Sequence, residues 1–181
     1  MNVLDRLLGH DAWTTRQLLL RCRELSEEQL NRNFDIGDRS LLGTFEHIVS
    51  CMESHTDLLI GRRTEANYLA TKELRDDESI DGILTRLVIV SKDFSEFAAK
   101  VDRECRADDM CTNSDNSKRW PVGGVIAHVI THSMHHRAQA MYIMEQLGLQ
   151  DVIEGDAMGW EGQSRGWGYD WSHSYGKTVA D

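Results

Sequence analysis

The chain has 181 residues, 40% apolar and 28% charged, the size and make-up of one folded domain, which excludes a chain disordered throughout. Twenty lysines and arginines against thirty acids leave a formal charge of −10, which repels nucleic-acid phosphate and an anionic membrane surface alike. Pro121 is the one proline, and scarce proline beside leucine-rich periodic stretches points to helices.

In chain order, residues 3–25 carry Leu4, Leu7, Leu8, Leu18, Leu19 and Cys22 mostly at i, i+3, i+4 steps, which predicts an amphipathic helix. Ser26 reads as the N-cap of a short turn, and 31–39 as loop. Ser40 caps a second long helix over 41–62, with Leu41, Phe45, Ile48, Val49 and Met52 on one stripe. Residues 63–78 are polar without clear period, and Ser79 caps a third helix over 80–102. Residues 103–119 read as a long polar loop. Trp120-Pro121 then opens a fourth helix, proline being suited to a first turn, and Gly148 ends it. Four such helices without a strand pattern predict an all-α four-helix bundle over 1–150. Residues 151–181 differ, being rich in glycine and holding Trp160, Trp167 and Trp171. They are expected as an irregular extension packed on the bundle, either a plain covering or a wall over a ligand pocket.

The longest apolar run, Val122 to Ile130, contains Gly123, Gly124 and His128 and falls short of the roughly 18–20 residues of a membrane span. The N-terminus has acids where a signal peptide is basic and then apolar, so a cytoplasmic protein is expected. Cys22, Cys51, Cys105 and Cys111 form no CxxC pair, and reduced thiols are expected; a Cys105–Cys111 bridge within the polar loop is conceivable.

Eight histidines are present, four of them within His128–His136. His128, His132 and His136 recur at i, i+4, i+8 and form one stripe, each step rising ~6 Å. Two neighbours can reach one ion; the outer pair, ~12 Å apart along the axis, cannot share it. His135 points elsewhere. His47 on the second helix is the third candidate, because Gly43, Ser50, Cys51 and Ser54 beside it leave room for a ligand or a close helix. His55 lies two turns from His47, too far to share its metal, and His10 and His173 read as surface residues. Without a Glu-x-x-His, a His-Glu-x-x-His or a glycine-rich phosphate loop, a di-iron carboxylate site, a zincin and a nucleotide fold are disfavoured.

Leu41-Leu42-Gly43-Thr44-Phe45-Glu46-His47-Ile48 and His128-Val129-Ile130-Thr131-His132-Ser133-Met134-His135-His136-Arg137-Ala138-Gln139, with Trp13 and the Leu147-Gly148 end, resemble the DinB family over residues 1–150. The resemblance implies a four-helix bundle with long crossover connections, often a homodimer. It also implies a metal triad that falls here on His47, His132 and His136. Ala138 and Thr131 depart from the family's usual Gly and Asn without touching a ligand, and 150–181 match its pattern poorly.

That family includes transferases and isomerases using low-molecular-weight thiols. The resemblance therefore implies a divalent metal, zinc first with nickel or iron as alternatives. The metal would hold a thiol or water as its anion against a small-molecule substrate. His128 is then a partner that relays a proton or orients His132. Cys51, Trp160 and Trp167 are the candidate substrate-binding residues, Cys51 also being a rival nucleophile one turn from His47. The alternative is a non-catalytic bundle, a stress-related protein that binds metal or a small molecule. Neither reading involves nucleic acid or a membrane.

Overall fold

Helix boundaries follow the side chains able to satisfy unpaired terminal amides. The computed structural model describes residues 1–37, 40–62, 68–113, 115–153 and 155–167; Trp171, His173 and the extension from 168 onward lie outside the described residues. Asn2 and Asp5 close a capping box at the start of α1 (Val3–Cys22), and Ser26 with Gln29 does the same for the short α2 (Glu27–Asn31). Ser40 caps α3 (Leu41–Ile60), which stops where Gly61 turns left-handed at φ 82°. Thr71 caps a short α4 (Lys72–Asp76) inside the stretch expected to lack pattern, and Ser79 caps α5 (Ile80–Arg103).

α6 (Val122–Gln146) completes the bundle. α3 packs on both α5 and α6, and α1 packs on the same two, so the order round the bundle is α1–α5–α3–α6. The first two long helices therefore lie on one diagonal and the last two on the other. Both connections that span a diagonal are long, as crossovers must be. Ile83, Leu87, Val90, Phe94, Ala98 and Val101 of α5 step by threes and fours into the core, where Phe45, Ile48 and Val49 of α3 and Ile143 and Met144 of α6 meet them. Truncating a side chain as deep as Phe45 costs about 3–5 kcal/mol. Among the described residues no helix is long and apolar enough to cross a membrane.

Two buried ion pairs set how the helices register. Arg86 of α5, fully buried, grips Glu53 of α3 through two bonds of 2.9 and 2.7 Å and reaches Glu46 at 2.6 Å. Arg137 of α6 pairs with the buried Asp11 of α1 and with the Thr15 hydroxyl at 3.1 Å. A buried arginine without its acid is an uncompensated charge, so each pair strongly penalises any helix shift that parts it.

Four expectations are corrected. The polar loop before α6 contains an antiparallel hairpin, β1 (Met110–Thr112) with β2 (Arg119–Pro121), Cys111 standing opposite Trp120. Its turn is closed by the Asn113 side chain, whose oxygen accepts from the Lys118 amide at 2.9 Å, and by Asn116 at φ 58°. Pro121 ends this strand as the N-cap of α6 instead of sitting in its first turn. The extension is not wholly irregular, since Asp156 caps α7 (Ala157–Ser164), which lies on α1. His10 is buried, not superficial, and its Nε2 donates to the Gly155 carbonyl at 2.7 Å just before α7. All four cysteines carry free thiols, so the Cys105–Cys111 pairing is not made.

Candidate metal centre

The seam between α3 and α6 collects most of the histidines. His47 approaches His132 and His136, whereas His55, two turns later, approaches His128. Rising numbers on one helix meet falling numbers on the other, so the two run antiparallel and their imidazoles interleave. The His47 and His132 Nε2 atoms are 3.2 Å apart, and the His132 and His136 ring centres 4.4 Å. One ligand atom from each of His47, His132 and His136 lies within 4.8 Å of the others, and all three residues are half-buried.

These distances fit a single cation. Two nitrogens bound to a tetrahedral zinc at ~2.0–2.1 Å stand about 3.3 Å apart, close to the separation of the two Nε2 atoms. The proton positions fit as well. The amide oxygen of Gln139 can only accept, so Nδ1 of His136, 2.8 Å away, carries the hydrogen and the ring's lone pair is on Nε2. The Gln139 amide nitrogen is in turn 3.1 Å from His135 Nε2. Burial, and then the neighbouring His136, His47, His128 and His55, hold the pKa of His132 down at about 4. It is therefore neutral at neutral pH and needs to lose no proton to act as a ligand.

Second supports come from outside the seam. Gly37, at φ 53°, passes so near Gln139 that a Cβ there would stand 2.5 Å from the amide oxygen. Glu46, the residue before His47, is held by Arg86, which fixes this turn of α3 against α5.

A cavity of about 440 Å³ opens one turn further along α3. Ser50, Ser54 and His55 form one wall, and Tyr68, Arg75 and Trp120 face them. The three-histidine cluster does not line it directly; the rings of His55, His128 and His132 connect the two, with centres 5.1 and 5.3 Å apart. Of the small side chains read from the sequence as leaving room beside α3, Ser50 and Ser54 border this space and Gly43 and Cys51 do not line it. Its tryptophan wall is Trp120 of the hairpin. Trp160 is buried against Gly9 of α1, and Trp167 is partly exposed with the Arg165 guanidinium over its ring at 5.2 Å. Trp160 and Trp167 thus sit apart from the cavity. Cys51 lies on the seam beside His55, its Sγ 3.5 Å from Nδ1, and burial pushes its thiol pKa up.

Sequence reasoning found the residues that meet in the three-histidine cluster, but not Gln139 or the grouping of Cys51 with His55 and His128. The i+3 step from His136 to Gln139 was the available signal for the first. The second needed the antiparallel register of two helices. The DinB family model matches residues 1–156 of the chain. No curated protein matches it.

Proposed function

Because the chain belongs to the DinB family and brings imidazoles of two helices around one point, we propose that it is a metal-dependent enzyme that transfers or adds a low-molecular-weight thiol to a small-molecule substrate. The observation that carries this reading is the mutual approach of His47, His132 and His136. A zinc, nickel or iron dication bound there supplies Lewis acidity, since three neutral ligands leave its full charge to lower the pKa of an oxygen or sulfur ligand.

The protein's own groups have defined parts in this reading. His132 stays neutral through burial, and Gln139 keeps the His136 proton on Nδ1. Arg86 holds the helix turn that carries His47. The cavity bounded by Ser50, Ser54 and Trp120 takes the substrate. Cys51 is disfavoured as the nucleophile, because a thiol whose pKa is raised by burial holds little thiolate at neutral pH. The same reading takes the active species as a homodimer; in light scattering, a mass near 20.7 kDa at all concentrations overturns that part.

The test is metal analysis of protein purified without a histidine tag, beside a His132→Ala, His136→Ala double variant, with a thiol-transfer screen before and after chelation. The wild type is expected to hold about one more equivalent than the variant and to lose turnover on chelation with little unfolding. Equal metal in both overturns the site. Turnover indifferent to chelator removes the metal from the reaction, whereas turnover absent from every screen, with melting still shifted by chelation, leaves the non-catalytic binding bundle.

A further inference from the structure

The seam between α3 and α6 holds a second group of ligating side chains. Cys51 and His55 are one turn apart on α3, and His128 faces them from α6. One ligand atom from each lies within 4.8 Å of the others. His55 Nδ1 lies 2.8 Å from the Cys51 carbonyl oxygen, which can only accept, and 3.5 Å from the Cys51 Sγ; with its hydrogen given to the carbonyl, the lone pair is on Nε2. That is the arrangement of an oriented metal-binding imidazole, its other nitrogen tied to a carbonyl. The His55 and His128 ring centres are 5.1 Å apart. His55 lines the 440 Å³ cavity, which provides a path from solvent.

We propose that Cys51, His55 and His128 form a second, separate site for a borderline-soft divalent cation of the zinc class, stacked on the three-histidine centre along the same seam. Binding forms a metal–sulfur bond as the Cys51 thiol gives its proton to solvent, with no change of oxidation state. One thiolate and two imidazoles suit zinc, cadmium or cobalt, whereas the neighbouring all-nitrogen set has no soft ligand. A thiolate also leaves a net charge of +1, so the second ion is the weaker Lewis acid of the two.

Helix geometry sets the spacing. His132 and His136 centre on position 134, six residues from His128, and the midpoint of Cys51 and His55 is six residues from His47. Both helices therefore place the two centres about 9 Å apart at 1.5 Å per residue. That is well beyond the ~3.5–4 Å of a metal pair sharing a bridging ligand. The two sites are mononuclear neighbours, and the second is the nearer to the cavity, which His55 lines.

Titrating the metal-free, full-length protein with Co²⁺ tests this, by stoichiometry and by the near-ultraviolet thiolate-to-cobalt charge-transfer band. Wild type is expected to bind two equivalents and develop the band. Cys51→Ser should lose the band and one equivalent, and His128→Ala should weaken that equivalent at least tenfold. His132→Ala should keep the band while losing the other equivalent. A band that survives Cys51→Ser, coming from another cysteine, overturns the proposal, as does its absence from wild type. Loss of the band in His132→Ala overturns the separateness of the sites. One equivalent that carries the band and vanishes only in Cys51→Ser upholds this site while sinking the three-histidine one.

Discussion

The Nδ1 hydrogen of His136 is donated to the side-chain oxygen of Gln139, one helical turn on, at 2.8 Å. That one bond decides which nitrogen of the ring can bind a cation, and Gly37 holds the glutamine in place by passing close beside it. Gln139→Leu should therefore lower the affinity of the three-histidine site by about 10–100-fold without unfolding the bundle, the usual effect of losing a ligand's hydrogen-bond partner. Gly37→Ala should act in the same direction by pushing the amide off His136. Competition with a chelating dye measures both; unchanged affinity in Gln139→Leu removes the glutamine from the account.

Acid should weaken the metal-free fold through His132. Its folded pKa of about 4 lies below the roughly 6.5 of a solvated imidazole, burial being the first cause and neighbouring imidazoles the next. The unfolded chain thus takes up a proton at higher pH than the folded one. The stability contributed by this group is full above about 6.5 and is lost as pH falls towards 4. An NMR titration of the imidazole signals should show one ring, removed by His132→Ala, still neutral at pH 5.5. A midpoint for that ring near 6.5 contradicts the burial argument.

The histidine stripe of α6 could be read from sequence because its period is local: residues four apart share a helix face whatever the rest of the chain does. The four long helices were legible for the same reason, Ser40 and Ser79 marking where two of them start. His10 was misjudged because its partner, the Gly155 carbonyl, is 145 positions away, and no local pattern announces it. The hairpin escaped because strands of three residues are too short to show alternation, and its turn is closed by asparagines that also suit plain loop. α7 was hidden by Gly159 and Gly162, which lower helix propensity in isolation but allow a short helix that α1 supports. Cys51 and His55 showed their spacing plainly. What they faced depended on the register of α3 against α6, which no local pattern in either helix announces.

Removing Arg86 tests how firmly the buried ion pair holds α5 to α3. Arg86→Met strands Glu53, which is nearly fully buried, and should cost about 3–5 kcal/mol in urea unfolding. Adding Glu53→Leu should restore much of that loss, since the stranded charge is then gone. Glu46→Gln should cost far less, about 0–1 kcal/mol, because that carboxylate is partly exposed at 34% and solvent replaces the arginine. If Arg86→Met alone proves neutral, the pair does not hold α5 to α3.

The position of α7 can be separated from the metal centre with a single methyl group. Gly9 lies in α1 directly beneath the Trp160 indole, and a Cβ there would overlap ring atom Cζ2 and stand 3.1 Å from Cε2. In an unobstructed helix, replacing glycine by alanine stabilises by about 0.5–1 kcal/mol. Here the overlap should reverse the sign, with a net loss of about 1–3 kcal/mol typical of an overpacked contact. The helix is otherwise tied down by the Arg6–Glu161 pair at 3.1 Å and by His10 on Gly155, so the expected response is a tilt of α7 and not its release. Gly9→Ala should show a red-shifted tryptophan emission and a lower melting temperature, the emission change disappearing in a Trp160→Phe background. Because α7 packs on α1 while the histidines lie between α3 and α6, metal uptake and any measured turnover should stay at the wild-type level. A fall in turnover without a fall in metal content would instead make the tryptophan-bearing extension a wall of the substrate pocket, and Trp120 would then share that role.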